Sequence, residues 1–339
     1  MLLRLDGLQV EYAARGGTVR AVDRGSFEVP EASIVGLVGE SGCGKTTLAR
    51  AITGVMPRAA RIHGGRMLFR DKDLVTATPA EWRDILWRRI AFIPQSAMNA
   101  LNPVHRVGAQ IAEVLRVRGG MSRAAVPARI AELFDMVGLD PARQLDYPHQ
   151  FSGGMRQRVG IAVALALNPD LLIADEPVTA LDVIVQRQVL DTLRDLQARL
   201  RLSVILVTHD ISVVAYVCDR VVVMYAGQVV ESGPVAEVLE RPSHPYTMGL
   251  TNAFPDLARA SDTLVPVGGY PPDLRDPPKG CRFAARCPFA LDACRSIDPP
   301  LLAAGADRAV ACLRADEAET LREEARNPER WAAISASAD

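Results

Sequence analysis

The chain has few aromatic residues, almost no net charge and no long apolar run. Its 339 residues include 39 basic and 40 acidic ones, so no overall field favours nucleic acid or anionic lipid. The longest apolar run, Val159 to Leu167, is far shorter than the ~20 residues that cross a bilayer. The N-terminal stretch carries Asp6 and Glu11 and lacks the apolar segment of a signal peptide. We therefore expect a cytosolic protein that reaches a membrane only through a partner.

What is present is typical of a soluble α/β protein with an appendage. Apolar residues make up 49% and charged residues 23%, and the length suits one domain of roughly 250 residues plus a smaller part. Pro and Gly become denser between Pro266 and Pro300, and four of the six cysteines lie between Cys281 and Cys312. We predict a main domain over 1–255 and a C-terminal extension over 256–339.

Continuous apolar runs in the main domain predict strands buried on both faces, as in a parallel sheet covered by helices. These runs are Ile34–Val38, Ile90–Ile93, Leu171–Ala174, Val204–Val207 and Val221–Met224. Helical patterns alternate with them, over Thr47–Thr53, Ala124–Val137 and Val183–Ala198, which indicates an α/β core. The segment 99–166 has helical patterns only and predicts an inserted helical subdomain. The tail Ala315–Arg326 predicts a solvated helix.

A phosphate-binding loop is the strongest motif. Residues 39–46, GESGCGKT, fit GxxxxGK[ST] between a predicted strand and a helix. Such a loop points backbone N–H groups and a helix N-terminus at phosphates. Lys45 would reach the β and γ phosphates of ATP, and the Thr46 hydroxyl would bind Mg²⁺. The residues predicted to contact the nucleotide are Gly39, Ser41, Gly42, Cys43, Gly44, Lys45, Thr46 and Thr47, with Cys43 as a spacer.

Two carboxylates follow the predicted strand Leu171–Ala174. Asp175 and Glu176 lie where a parallel sheet opens to its ligand. Phosphoryl transfer depends on positioning and charge neutralisation, so one carboxylate for Mg²⁺ and one for the attacking water would suffice. We assign the first task to Asp175 and the second to Glu176.

The stretch 151–158, FSGGMRQR, resembles the signature motif of ABC ATPases. As a local feature, Ser152 is a helix N-cap, and two glycines follow it. The resemblance implies that Ser152, Gly153 and Gly154 contact the γ phosphate held by a second subunit. The sequence departs from the commonest signature by having Phe151 for Leu and Met155 for Gln.

Further positions match the ABC family one by one. Gln95 resembles the glutamine that senses Mg²⁺ and the membrane subunit. Asp182 resembles the D-loop aspartate, and His209 resembles the switch histidine that assists hydrolysis. Tyr12 is placed to stack on adenine, although a tyrosine there could also simply pack on a sheet.

Several stretches narrow the resemblance to ATPases of the oligopeptide/dipeptide importer group. They are DEPVTALDV (175–183), NALNP (99–103), SHPYT (243–247), GCRF (280–283) and RCP (286–288). This resemblance implies a P-loop ABC ATPase domain with a RecA-like core, an antiparallel β subdomain and an inserted helical subdomain, followed by a small Cys/Pro-rich C-terminal domain. It also implies two permeases, a second ATPase (identical or paralogous), an extracytoplasmic solute-binding protein and a place at the cytoplasmic face of the inner membrane.

Two alternative functions stay open at this point. A soluble ABC ATPase of DNA repair or translation would carry a coiled-coil insertion, tandem cassettes or basic patches, and the sequence has none of these. A regulatory, non-hydrolysing partner subunit is disfavoured by Glu176 and His209. The solute is not encoded in this chain, so peptides stand beside nickel, glutathione and sugars.

Cys281, Cys287, Cys294 and Cys312 predict one metal centre. Their gaps of five, six and seventeen residues contain no C-x₂-C pair, so spacing alone leaves the metal open, with free buried thiols and disulfides as alternatives. The resemblance to the importer group favours a [4Fe-4S] cluster over Zn²⁺. Because ATP hydrolysis needs no electron transfer, we expect a structural centre whose loss leaves ATP binding intact.

Overall fold

A computed structural model describes residues 1–14, 17–95, 100–253 and 267–335, which form two compact units. The first unit contains Met1–Leu2, Val29–Ile34 and Thr76–Val207. The second contains Leu3–Glu28, Val35–Val75 and Thr208–Asp339. Each unit is therefore assembled from separated stretches of the chain.

The strands and helices are named here in chain order. The strands are β1 (Leu3–Ala14), β2 (Gly17–Val29), β3 (Ile34–Val38), β4 (Ala60–Phe69), β5 (Lys72–Asp73), β6 (Ile90–Ile93), β7 (Leu171–Asp175), β8 (Ser203–Thr208), β9 (Arg220–Tyr225), β10 (Gln228–Pro234), β11 (Leu302–Ala303) and β12 (Ala309–Val310). The helices are α1 (Lys45–Ile52), α2 (Pro79–Ile85), α3 (Val107–Val117), α4 (Val126–Met136), α5 (Gly153–Ala164), α6 (Val183–Leu200), α7 (Ile211–Val217), α8 (Val235–Glu240), α9 (Pro245–Asn252), α10 (Ala318–Ala325) and α11 (Pro328–Ser335).

The first unit is built on parallel strands. β6 pairs with β7 and β7 pairs with β8, both in parallel. Every residue of β7 and β8 is buried, as the continuous apolar runs predict. In the predicted helical subdomain, the described residues 100–166 form α3, α4, α5 and short 3₁₀ turns, with no strand among them.

The second unit contains an antiparallel sheet in the order β2-β1-β4-β5. It also contains the strand order β11-β12-β10-β9-β3, in which β3 and β9 are parallel and the other pairs are antiparallel. β3 leads directly into the predicted phosphate loop. The five predicted strands are all confirmed, because each is a run of apolar residues that needs burial on both faces.

The prediction of a small, separate C-terminal domain is not supported. Phe283, Phe289, Leu321 and Trp331 from the extension are buried in one core with Tyr225 and other residues of β9, β10 and α9. β12 also pairs with β10. The extension therefore buries its apolar side chains against the main fold instead of forming its own core.

The tail helix also differs from the prediction of a solvated helix. Within α10, Ala318, Leu321 and Ala325 are buried, and Leu321 is fully inaccessible. The indole N–H of Trp331 donates to the carbonyl of Ala325 at 2.9 Å, which fixes α11 against α10. α10 is therefore amphipathic: its charged residues lie on one face, and its apolar residues form a stripe that packs into the core.

The predicted domain boundary at 255/256 falls within 254–266, outside the described residues. The predicted domains 1–255 and 256–339 therefore remain a prediction.

None of the helices that the structure describes is long and apolar enough to cross a membrane.

Candidate active site

The predicted phosphate loop joins β3 to α1 in the second unit. A Cβ atom on Gly39 would lie 2.1 Å from the carbonyl oxygen of Met224, and one on Gly44 would lie 2.1 Å from that of Ala21. Both residues also have positive φ angles, of 152° and 105°. Only glycine fits these two positions, and the backbone is therefore held in one curled path. No side chain in the described part of the chain caps α1 at Gly44, which leaves backbone N–H groups for an anion.

Lys45 lies over this loop. Its side chain is buried, and Nζ donates to the carbonyl oxygens of Gly39 and Glu40 at 2.8 and 2.9 Å. The loop thus holds the ammonium group that was predicted to reach phosphates. Cys43 is buried, and burial raises the pKa of its thiol, so this side chain is a neutral spacer.

Tyr12 in β1 is half-buried and is hydrogen-bonded to α1. Its hydroxyl lies 3.2 Å from Oγ1 of Thr47. This contact fixes the ring beside the helix that begins at Lys45. The assignment of Tyr12 to adenine stacking stays a prediction.

The two predicted carboxylates lie at the end of β7 in the first unit. Asp175 is buried, and Glu176 has a φ of +49°, which is unusual for a residue with a side chain. Oε2 of Glu176 accepts hydrogen bonds from Nε2 of Gln95 at 2.9 Å and from Oγ1 of Thr179 at 3.1 Å. The structure therefore brings Gln95 and Glu176 together, 81 residues apart in sequence.

The signature residues begin α5. Ser152 is the N-cap, and its hydroxyl accepts from the N–H of Met155 at 3.3 Å. A Cβ atom on Gly154 would lie 2.3 Å from Cγ1 of Val185, so α5 packs closely on the start of α6. Asp182 caps α6 by accepting from the N–H of Val185 at 2.9 Å. Within the first unit, the signature residue Gly154 and the predicted D-loop residue Asp182 therefore both contact Val185.

Arg143, which the sequence reading did not single out, contacts both departures from the usual signature. Its guanidinium carbon lies 4.6 Å from the ring centre of Phe151, and Nη1 lies 3.4 Å from the sulfur of Met155. Arg143 also pairs with Asp146 at 2.8 Å. The Arg143 side chain thus packs against both Phe151 and Met155. The two departures from the usual signature leave the N-cap hydrogen bond of Ser152 in place.

His209 follows β8 and is exposed, and Asp210 caps the next helix, α7, by accepting from the N–H of Ser212 at 2.8 Å. The predicted site residues are thus distributed over both units. Tyr12, His209 and the loop residues 39–47 lie in the second, whereas Gln95, Asp175, Glu176, Asp182 and residues 152–154 lie in the first.

The four predicted metal-binding cysteines line one cavity, together with Phe283 and Phe289. The Cys312 thiol accepts from the backbone N–H of Arg314 at 3.4 Å. Burial raises the pKa of Cys281 to about 11. However, no group of three or more His, Cys, Asp or Glu side chains in the described ranges has the arrangement of a metal site. The predicted iron–sulfur or zinc centre is therefore not supported by the geometry of the side chains.

The α/β fold, the lysine-bearing glycine loop and the strand-end carboxylates define a P-loop ATPase. Residues 22–179 match the family model described as ABC transporter, and residues 230–294 match the one described as oligopeptide/dipeptide transporter, C-terminal region. The chain belongs to the ABC transporter family of ATP-hydrolysing proteins.

Its relatives match over most of their length. It is 45% identical to the dipeptide transport ATP-binding protein DppD of Bacillus subtilis, covering 88% of this chain and 90% of that protein. It is 43% identical to the oligopeptide transport ATP-binding protein OppD of the same organism, covering 88% of this chain and 85% of that protein. Among solved structures, a dimeric ATP-binding cassette with bound ADP and Pi matches at a TM-score of 0.62 and 26% identity, over 69% of this chain and 99% of that one.

Proposed function

We propose that this chain is the ATP-hydrolysing subunit of an importer for di- or oligopeptides. The matching family models and the peptide transport names of the relatives support the transport role. The observation that carries the hydrolytic role is the Glu176 carboxylate, which Gln95 and Thr179 hold by two hydrogen bonds. A non-hydrolysing regulatory subunit would have no need for a carboxylate fixed in this way.

The chemistry that these residues can perform is hydrolysis of the terminal phosphate of ATP. Lys45 and the N–H groups of residues 39–47 bind the β and γ phosphates, and Tyr12 stacks on adenine. Thr46, Gln95 and Asp175 would hold Mg²⁺ through hydroxyl, amide and carboxylate oxygens, the ligands that this ion prefers. Mg²⁺ neutralises phosphate charge when bound. Glu176 orients the attacking water, and His209 assists hydrolysis as the switch histidine.

The subunit arrangement follows from the signature residues. Ser152, Gly153 and Gly154 bind the γ phosphate held by a second ATPase chain, and Asp182 belongs to the same contact between the two chains. The dimeric cassette with ADP and Pi supports this pairing. Two membrane permeases and an extracytoplasmic solute-binding protein complete the importer, and this chain binds at the cytoplasmic face of the inner membrane.

The substitution Glu176→Gln tests the hydrolytic role. Because it keeps shape and hydrogen bonding but removes the charge that orients water, we expect MgATP binding to survive and turnover to fall at least about 100-fold. The measurement is steady-state phosphate release by the purified full chain, with nucleotide binding as the control. Unchanged turnover per site would move the catalytic role to another residue.

We also propose that the 256–339 extension holds a [4Fe-4S] cluster, with Zn²⁺ as the alternative. Support comes from the shared cavity of the four cysteines and from the backbone N–H of Arg314, which donates to the Cys312 sulfur, as in the hydrogen bonding that thiolate–metal centres use. Cys281, Cys287, Cys294 and Cys312 would be the ligands, after losing their protons and moving closer together.

Metal analysis of anaerobically purified chain tests this centre. The cluster predicts brown protein with about four irons per chain, and Cys287→Ser should lose that iron. Cys218→Ser is the matched control, because Cys218 is partly buried, as Cys287 is, but does not line the cavity. One zinc per chain would support the alternative. A chain that contains neither iron nor zinc would refute a metal centre.

A further inference from the structure

The phosphate loop is tied to the C-terminal extension by a two-pronged ion pair. Glu40 is the second residue of the loop, and Arg286 lies in a 3₁₀ turn of the extension, Ala284–Arg286. Nη1 and Nη2 of Arg286 donate to Oε2 and Oε1 of Glu40 at 2.9 and 3.0 Å. A bidentate pair of this kind fixes orientation as well as distance.

The guanidinium of Arg286 is itself immobilised. Nε donates to the carbonyl of Gly268 at 2.8 Å, Nη2 donates to that of Val267 at 3.1 Å, and Nη1 donates to the hydroxyl of Tyr225 at 3.2 Å. The side chain is only 5% exposed. Because its donors are engaged on several sides, Arg286 cannot follow Glu40 to another position without breaking these bonds.

The backbone of Glu40 is held from the same side. Its N–H donates to the hydroxyl of Tyr246 at 2.9 Å, and Tyr246 is completely buried. The Tyr246 ring packs on Phe283 at a centroid distance of 5.4 Å. Phe283 also lines the cavity of the four cysteines. One side chain of the cavity wall, Phe283, therefore packs directly on the tyrosine that holds the phosphate loop, and Arg286 precedes the cavity residue Cys287 in the chain.

The extension also supports the other end of the loop. Arg282, which is buried, pairs with Asp23 and donates to the carbonyl of Ala226. The N–H of the next residue, Gly227, donates to the carbonyl of Cys43 at 2.8 Å. The extension thus reaches the loop at Glu40 directly and at Cys43 through one intervening turn.

Moving Glu40 would move the cation that binds phosphate. Nζ of Lys45 donates to the carbonyl oxygens of Gly39 and Glu40. Tyr246 binds the N–H of Glu40, and Arg286 binds its carboxylate. A loop that binds phosphates must present its N–H groups and its lysine in one arrangement before the ligand arrives. The contacts from the extension supply this arrangement.

We propose that Arg286 is a positioning residue for the phosphate loop and that the affinity for MgATP depends through it on an intact cysteine cavity. This inference rests on the proposed ATPase function. It gives the extension a role in nucleotide binding, whereas the sequence alone predicts that loss of the cysteine centre leaves ATP binding intact. Disruption of the cavity would loosen the loop.

A merely structural ion pair is the competing explanation, and the chain offers a matched control. Arg308 pairs with the fully buried Glu231 at 2.9 Å in the same unit, and it also donates to the carbonyl of Arg241. None of these partners belongs to the loop 39–46. Breaking this pair should lower stability without touching the phosphate loop, because a buried carboxylate loses its charged partner.

The test is the dissociation constant for MgATP of the full chain, measured by titration calorimetry well below each variant's melting temperature. We expect Arg286→Gln and Glu40→Gln each to weaken binding roughly tenfold. The double variant should bind MgATP no more weakly than the single variant with the lower affinity, because both changes remove the same Glu40–Arg286 interaction. Arg286→Lys should keep part of the affinity, and Arg308→Gln should melt earlier with an unchanged dissociation constant.

The link to the cavity has its own comparison. Cys287→Ser should weaken MgATP binding in the wild-type background and have no further effect in the Arg286→Gln background. Wild-type affinity in both Arg286→Gln and Glu40→Gln would overturn the proposal, as would equal weakening by Arg308→Gln. If Arg286→Gln does not fold, Glu40→Gln and Arg286→Lys decide the question. A wild-type chain that does not bind MgATP would refute the ATPase function instead.

Discussion

Gly154 offers a sharp test of how the signature helix is positioned. In Gly154→Ala the new Cβ would lie 2.3 Å from Cγ1 of Val185, whereas carbon atoms in contact lie about 3.5 to 4.0 Å apart. Val185 lies in the first turn of α6 and is β-branched, so rotation of its side chain cannot easily relieve the clash. The start of α5 must therefore move away from α6 by about 1 Å.

A displacement of this size is enough to change catalysis. A shift of about 1 Å in a positioning element can reduce turnover about 100-fold, and overpacking itself costs about 1 to 3 kcal/mol of stability. The proposed function assigns Ser152, the N-cap of this helix, to the γ phosphate held by a second ATPase chain, so turnover by the ATPase pair should fall by that factor. Binding of MgATP should change little, because Lys45 and the loop 39–46 belong to the other unit.

The assay is phosphate release by the full chain with saturating MgATP, together with a thermal melt. The second substitution Val185→Ala removes the clashing methyl groups, so Gly154→Ala/Val185→Ala should recover most of the turnover that Gly154→Ala alone loses. Val185→Ala alone is the control for the change in α6. Wild-type turnover in Gly154→Ala, or no recovery in the double variant, would refute the reasoning.

Two further predictions concern the loop and the extension. Lys45→Ala should weaken MgATP binding roughly 10- to 100-fold, because the phosphates lose a charged hydrogen-bond donor; normal binding in an equilibrium titration would refute the phosphate-loop assignment. Trp331→Ala should lower the free energy of unfolding by about 3 to 5 kcal/mol, because this indole is buried in the core shared with β9 and α9. A decrease in the free energy of unfolding of less than about 1 kcal/mol, measured by urea unfolding, would contradict this burial and favour a solvated tail.

The elements predicted well are those whose signal is local. The strand before Gly39 and the strand before Asp175 are short apolar runs, and their burial follows from composition alone. The phosphate loop has fixed spacing, and its glycines are required by close backbone contacts at Gly39 and Gly44. Such features depend on neighbours within a few residues, so a single sequence suffices to find them.

The features that were missed depend on residues distant in sequence. Arg286 belongs to a stretch that the resemblance uses, but its ion pair with Glu40 is not visible in the sequence. The role of Arg143 likewise depends on Phe151 and Met155, which only the fold brings beside it. Trp331 lies in a charged tail, and only the fold brings it against Phe289, at a centroid distance of 6.4 Å. Periodicity reveals a buried face but not the surface that covers it, which is why the extension was predicted as a separate domain.

The most direct test of the central claim is ATP-dependent peptide uptake by cells that lack this chain and receive it on a plasmid. The account predicts that the wild-type chain restores accumulation of a labelled dipeptide or oligopeptide, and that Glu176→Gln, produced at the same level, does not. Uptake restored equally by Glu176→Gln, or no dependence of peptide uptake on the wild-type chain, would contradict the claim that this protein powers a peptide importer.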